Sequence, residues 1–324
     1  MKYDVTAAVV GTGFMGQQHI EALKKLVSKI VVCSSDSVKG MKTANNLGAK
    51  FYSDYDEMLE KERIDVVHVC VPTPLHCKMT VAALEKGINV LCEKPFATCL
   101  EEAKQMIDAS EKSGAKLMIG QCVRFAQTHE FLKRCIEDER FGKITYLQSY
   151  RHGPIPDWSV GNWLQNPSIT GGAVRDLHIH DTDFIRSVFG LPQSVYSKGN
   201  PLICDTTFEY GNGAVITATC CWRNSAKYVF NSGYHAAFEH ASVICRDGDV
   251  TVYTDSEEFN PLDVEKFPEY FQNDGVTNEI EYYYHCLATG EDNTLCLAQD
   301  CYDSFKITHA QVESMSNGKI VKLG

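Results

Sequence analysis

Asp4-Val5-Thr6-Ala7-Ala8-Val9-Val10-Gly11-Thr12-Gly13-Phe14-Met15-Gly16 decides the fold of this 324-residue chain. Asp4 to Val10 form a short apolar run suited to a strand buried on both faces. A G-x-G-x-x-G follows at once, and Gln17 to Val27 then carries a helical pattern. Alone such a glycine pattern is weak, because glycines cluster in turns. Directly after a first strand and before a helix it points to a dinucleotide fold. Gly11 permits the tight turn, and Gly13 lets the backbone approach a pyrophosphate. Gly16 lets helix and strand pack closely, and the loop residues Phe14 and Met15 open a helix whose N-terminus faces the phosphates.

Further strand–helix units follow at even spacing. Ile30–Cys33, Asp65–Val71, Asn89–Cys92 and Ala115–Gly120 read as strands, with helices from about Val38 to Leu47 and from Pro74 to Lys86. Alternating strands and amphipathic helices predict a doubly wound parallel sheet. Ligands of such sheets sit beyond the carboxyl ends of the strands. That places the loops at 11–16, 33–36, 71–76 and 93–95 on one rim, so Val71, Pro72, Thr73, His76, Glu93 and Lys94 join the expected cofactor contacts. The loop after the second strand should read the adenosine ribose. Asp36 could bind the ribose hydroxyls of NAD; alternatively, Ser34 and Ser35 could bind the 2′-phosphate of NADP while Asp36 caps the next helix. Both readings stand. In Glu93-Lys94-Pro95, the proline holds Lys94 extended at the end of the strand expected under the nicotinamide.

The whole chain carries 31 basic and 42 acidic residues, a formal charge of −11, and no basic run of the sort that nucleic acid or an anionic membrane requires. No apolar run approaches membrane-spanning length. Fourteen cysteines contain no C-x-x-C and sit mostly in apolar strand or helix patterns, where thiols behave as small hydrophobes. Thiols at that density persist best in a reducing cytosol, so the expectation is a cytoplasmic protein.

Past Gln121 the pattern changes. Helices around Glu130–Asp138, 276–289 and 298–316 flank strands at 144–150, 194–197, 203–210, 214–222, 240–245 and 250–253. Strands in series without intervening helices predict an α+β domain with a large, mostly antiparallel open sheet. The expected division is 1–121 and 122–324. An open face this large is usually covered, which predicts a homo-oligomer, dimer or tetramer, formed through the sheet.

Between these parts lies Gly171-Gly172-Ala173-Val174-Arg175-Asp176-Leu177-His178-Ile179-His180-Asp181, read as a helix running on past Ser187. At 3.6 residues per turn Asp176, His180, Asp183 and Ser187 share one stripe, while Val174, Leu177, Phe184, Ile185 and Val188 face the core. His178 and Asp181 lie toward the packing side, as possible buried partners. His178-Ile179-His180 is also an H-x-H, which chelates metal from a strand. On a helix, positions i and i+2 point roughly 200° apart, so no metal is expected.

Taken together, Gly11–Gly16, Glu93-Lys94-Pro95, Gln121-Cys122-Val123-Arg124-Phe125 and Gly171-Gly172…Asp176…His180…Asp183 resemble the Gfo/Idh/MocA family. That family is named for glucose–fructose oxidoreductase, inositol dehydrogenase and a rhizopine-catabolism protein. The likeness runs through the closing pattern from Asn278-Glu279 to Gly318-Lys319-Ile320-Val321. It implies an N-terminal Rossmann domain and an NAD- or NADP-dependent oxidoreductase acting on a sugar or cyclic polyol hydroxyl. By position, Lys94 is similar to the family's active-site lysine, Asp176 and His180 to its catalytic pair, and Arg124 falls at the substrate. Two departures stand out: His178 where many members have glycine, and Ser34 where NAD-preferring members often have an acid.

In this reading His180 is the acid/base, its ordinary pKa of about 6.5 suiting proton transfer at neutral pH. Asp176 orients it or binds a neighbouring hydroxyl, and the Lys94 ammonium stabilises developing alkoxide charge. Trp158 and Trp163, in a Pro- and Gly-rich loop, could stack on a sugar face or simply bury the loop. Two rival functions use the same residues differently: an NAD-dependent glycosidase with transient sugar oxidation, and a non-catalytic dinucleotide sensor. A sensor has no need of Lys94, Asp176 and His180 together.

Overall fold

The computed structural model describes residues 3–157, 159–223, 225 and 227–323. The chain opens with β1 (Tyr3–Val10), α1 (Phe14–Leu26), β2 (Val27–Cys33), α2 (Ser37–Leu47), β3 (Lys50–Tyr52) and α3 (Tyr55–Lys61). It continues with β4 (Val66–Val69), α4 (His76–Glu85), β5 (Asn89–Glu93), α5 (Leu100–Ser113) and β6 (Leu117–Gly120). Next come α6 (Gln127–Glu137), β7 (Ile144–Pro154), α7 (Pro167–Thr170), α8 (Gly172–Asp176) and α9 (Ile179–Phe189). The strands β8 (Ser194–Asn200), β9 (Ile203–Glu209), β10 (Val215–Arg223) and β11 (Asn231–Phe238) follow, then β12 (Ser242–Arg246), β13 (Asp249–Tyr253) and β14 (Glu258–Phe259). The last elements are α10 (Gly275–Thr289), α11 (Ala298–Asn317) and β15 (Val321–Lys322).

Two compact units result, Met1–Cys122 with Asn273–Tyr302, and Val123–Gln272 with Asp303–Gly324. The first break falls one residue from the expected one. A linear division does not anticipate the return of 273–302, which brings α10 against α1 and β6.

The first unit holds a six-stranded parallel sheet in the order β3-β2-β1-β4-β5-β6. Its central residues Ala7, Ala8, Val9, Val31, Val67, Val90 and Leu91 are fully buried, as a sheet covered on both faces requires. Strand order reverses between β1 and β4, the switch point beyond whose carboxyl ends sheets of this kind take their ligands. Local chemistry sets the helix boundaries. Asp36 caps α2 by accepting from Lys39 N at 3.0 Å, and Gly48 and Gly114 end α2 and α5 in the left-handed conformation.

The second unit holds a nine-stranded sheet in the order β14-β13-β12-β11-β7-β10-β9-β8-β15. Among the described residues β7 and β10 form its parallel pair, and the other neighbours are antiparallel. Alternation is plain in β9, where Cys204, Thr206 and Phe208 are buried while Ile203, Asp205, Thr207 and Glu209 are exposed. β11 lies beside β7 near the middle of the sheet, yet its Gly, His and Ala residues gave no strand signal. Gly233 explains its composition: a Cβ there would lie 2.0 Å from the Cys245 carbonyl oxygen.

The central stretch is two helices, not one. α8 ends at Asp176 and α9 begins at Ile179, with Leu177 and His178 between. Val174, Leu177, Phe184 and Ile185 are buried as expected. The polar stripe divides: Asp176 and His180 are half-buried, whereas Asp183 is buried.

Candidate active site

The phosphate turn of the first unit fits a dinucleotide. Gly11 has φ +97°, and a Cβ on it would sit 2.4 Å from the Cys70 carbonyl oxygen. A Cβ on Gly16 would sit 2.0 Å from the Gly11 carbonyl oxygen, so glycine alone brings α1 this close to the turn. Gly13 differs. Nothing lies within 4 Å of its Cβ position, and it precedes α1 without a side-chain cap. The first backbone N–H groups of α1 lie at the positive end of the helix dipole, the chemistry a diphosphate requires. Phe14 is exposed and Met15 half-buried beside them. Thr12 and Ser34 are buried with their hydroxyls 3.1 Å apart, tying the phosphate turn to the end of β2. Ser35 and Asp36 are exposed. The Asp36 carboxylate caps α2 through Oδ1, an arrangement compatible with both ribose readings.

On the loops after β4 and β5, Val71 is half-buried, Pro72 exposed and Thr73 buried. His76 and Glu93 have tasks other than the expected cofactor contact. His76 is 1% exposed, with Nδ1 2.9 Å from the Pro95 carbonyl and Nε2 2.9 Å from the Val71 carbonyl. It buckles the two loops together from inside. Burial pushes its pKa below the ordinary histidine value, against the upward pull of those carbonyls and of Glu93.

The Glu93 side chain is also turned inward. Its Oε1 lies 2.9 Å from His19 Nε2, and its Oε2 accepts from the Lys94 backbone N–H at 3.2 Å. His19 Nδ1 lies 2.9 Å from His68 Nδ1, and His68 Nε2 lies 3.0 Å from the Tyr284 hydroxyl. A buried hydrogen-bonded chain thus runs from Tyr284 on α10 to the carboxylate beside Lys94. The sequence reading missed His19 and His68. A histidine inside the apolar strand Val66-Val67-His68-Val69 was the available signal, since a fully buried ring must find partners. Donor atoms of His19, Glu93 and Glu279 lie within 4.8 Å of one another, a metal-like spacing. Both ring nitrogens of His19 lie within hydrogen-bond reach of other side chains, Nδ1 of His68 and Nε2 of Glu93. Lys94 itself is half-buried, and its peptide bond to Pro95 is cis.

In the second unit, Asp176 ends α8 and His180 stands in the first turn of α9. Arg124, expected at the substrate, is instead 7% exposed and pairs with Asp183 through Nε at 2.7 Å and Nη2 at 2.6 Å. Burying a carboxylate demands such a partner, and the planar guanidinium supplies two parallel bonds. His178 and Asp181 do lie on the packing side, where the Asp181 charge acts on His178 while each hydrogen-bonds to another residue. Asp181 accepts from Arg151 at 3.0 and 3.3 Å, and His178 Nε2 lies 3.1 Å from Thr206 Oγ1. Trp163 is half-buried in a short turn, and Trp158 lies outside the described residues.

Burial pushes the pKa of both His129 and His178 down from 6.5 to about 4. Each ring is therefore neutral when folded at pH 7, while the unfolded chain takes up a proton near 6.5. The stability this contributes is full above the unfolded value and is lost as pH falls from 6.5 toward 4, by very roughly 2–3 kcal/mol per residue. Melting temperature should fall steeply over that window. His178→Gln, which keeps a donor toward Thr206, should flatten the slope; an unchanged slope would sink the assignment.

Comparison with known proteins agrees with this geometry. Residues 5–121 match the model of the Gfo/Idh/MocA oxidoreductase family's NAD-binding Rossmann domain, and residues 129–251 match that family's C-terminal domain. A 2,7-anhydro-N-acetylneuraminate hydratase of Mediterraneibacter gnavus is 28% identical over 193 residues, 59% of this chain and 51% of that one. The chain thus spans about half the length of that relative. An NAD(+)-dependent scyllo-inositol 2-dehydrogenase of Bacillus subtilis is 31% identical over 222 residues, 65% of this chain and 62% of its own. Among solved structures, a levoglucosan dehydrogenase in complex with NADH and levoglucosan has the same fold, with a TM-score of 0.85 at 21% identity over 99% of both chains. Both units having matched, one after the other and in the expected order, the chain belongs to the Gfo/Idh/MocA oxidoreductase family.

Proposed function

We propose that the protein transfers a hydride between NAD or NADP and a secondary hydroxyl or ketone of a sugar, sugar derivative or cyclic polyol. The observation that carries this reading is the pair Asp176 and His180, both half-buried at the junction of α8 and α9, where Asp181, Thr182 and Asp183 are buried. Relatives named for inositol support the substrate class.

The nicotinamide dinucleotide, when bound, supplies the hydride acceptor. Gly11, Gly13 and the first turn of α1 hold its diphosphate, with Ser34, Ser35 and Asp36 toward the ribose. His180 receives the hydroxyl proton at a ring nitrogen during oxidation and returns it during reduction. Asp176 orients His180 or binds a neighbouring hydroxyl. Lys94 donates to the substrate oxygen and stabilises negative charge as the O–H bond breaks. A second reading, transient oxidation without net redox change, is favoured by the likeness to a relative named as a hydratase.

The test is nicotinamide absorbance over a panel of sugars and polyols with both cofactors, alongside chromatography of the products. Net NADH or NADPH formation on one class supports the first reading. Substrate turnover at constant absorbance supports the second, and silence throughout with tight cofactor binding overturns both. We also propose that copies associate through the outer face of the nine-stranded sheet, where Tyr196, Ile203, Val215 and Tyr253 are exposed. A monomeric mass in sedimentation equilibrium would exclude that.

A further inference from the structure

The first turn of α9 carries four consecutive polar residues, His180, Asp181, Thr182 and Asp183. Successive side chains on a helix point about 100° apart, so these four occupy the four azimuths of one turn. Three are buried, and each is tied to a different element. Asp181 accepts from Arg151 of β7 at 3.0 and 3.3 Å. Thr182 Oγ1 accepts from Gln311 Nε2 of α11 at 3.0 Å. Asp183 accepts from Arg124, in the turn before α6, at 2.7 and 2.6 Å. The azimuth these three leave belongs to His180, the half-buried member of the turn.

We propose that Arg124, Arg151 and Gln311, with their partners on α9, form a three-point clamp that positions His180 for proton transfer. The proposal rests on the reading of His180 as acid/base. A helix packed through one apolar stripe can roll or slide slightly, because dispersion contacts are individually weak and non-directional. A helix gripped at azimuths spanning about 200° cannot roll without breaking a buried directional bond. Ion pairs buried this deeply are poor devices for stability alone, since apolar residues of similar volume do as well or better. What they add is fixed geometry. Both carboxylates are 1% exposed, and both are met by guanidinium groups through two nitrogens, which fixes orientation as well as distance. Arg124, Arg151 and Gln311 are therefore positioning residues.

The experiment uses the full chain with the best substrate of the panel above. Arg124→Lys keeps the charge but loses the two-nitrogen grip. Thr182→Val, nearly isosteric, removes the hydroxyl point alone and serves if Arg124→Lys does not fold. A misplacement near 1 Å costs on the order of 10²-fold in rate. The expected result for Arg124→Lys is kcat lower by about 10- to 100-fold with KM and NAD(H) affinity within about twofold, and for Thr182→Val a smaller loss of the same kind. The primary deuterium isotope effect on kcat should rise in both. Independently of turnover, the His180 imidazole 13C–1H resonance should shift or broaden in the variant without substrate. A lower melting temperature with wild-type kcat per folded molecule, an unmoved isotope effect and an unmoved resonance would overturn the clamp while His180 keeps its role. Wild-type turnover by His180→Ala would overturn the acid/base reading and the clamp together.

Discussion

Replacing His180 with alanine is expected to lower kcat for hydride transfer by about 10²–10⁴-fold, the range general acid–base catalysis contributes. Cofactor affinity should stay within about twofold, because the phosphate turn and the β2 loop belong to the first unit and hold their shape through their own bonds. The alcohol proton would then depart to water, and the rate should rise with pH without levelling at a side-chain pKa. His180→Gln offers hydrogen bonds but no base near neutrality, so it should not restore the rate. The measurements are stopped-flow hydride transfer and calorimetric NAD(H) binding. A kcat within about fivefold of wild type would remove His180 from the acid/base role.

The next largest effect is expected at Gly16. An alanine Cβ there would lie 2.0 Å from the Gly11 carbonyl oxygen and 2.9 Å from its carbon, both backbone atoms of the phosphate turn. Gly11 cannot move aside freely, because its N–H donates to the Cys33 carbonyl at 2.8 Å. Relief must come from α1 lifting off β1. Overpacking of this kind costs about 1–3 kcal/mol and displaces the N–H groups that face the diphosphate. Gly16→Ala should therefore lower the melting temperature and weaken NAD(H) binding by at least about tenfold, since 1.4 kcal/mol already amounts to that. Gly13→Ala provides the control. Its φ of −68° suits alanine and nothing lies within 4 Å of the new methyl, so stability should be unchanged. The methyl would instead occupy space a phosphate needs, and binding alone should fall. Equal stability losses in the two variants would refute the assignment of separate roles.

The parts of the fold legible from sequence are those where neighbours in sequence are neighbours in space. β1, the glycine turn and α1 form one local unit, and apolar strands buried on both faces announce themselves. β11 stayed hidden because a central strand normally shows β-branched residues, whereas Gly233 is required by the closeness of the Cys245 carbonyl. The return of α10 to the first unit depends on contacts between distant residues, which periodicity cannot report.

The site was legible in the same measure. Helical spacing separated Asp176 and His180 from the packing side, but it also put Asp183 on the open stripe. Only the presence of Arg124, 59 residues earlier, turns that carboxylate inward. His76 and Glu93 stand in rim loops by sequence and point inside by structure, because a loop's position does not fix the direction of its side chains. The carboxylate that accepts from the Lys94 backbone N–H ends a chain of buried rings reaching Tyr284, which no local motif reveals.

The nine-stranded sheet ends on β14 and β15, two residues each. A sheet edge that short presents too few free N–H and C=O groups to template another strand. Edge addition, the usual hazard of a broad open sheet, is thereby restricted at both ends to the stretches of β13 and β8 that these two-residue strands leave uncovered. What remains available is the flat of the sheet, a surface that one copy can cover for another once. The association proposed through that face would give a closed, symmetric particle, because a face covered by one copy is not free for a second.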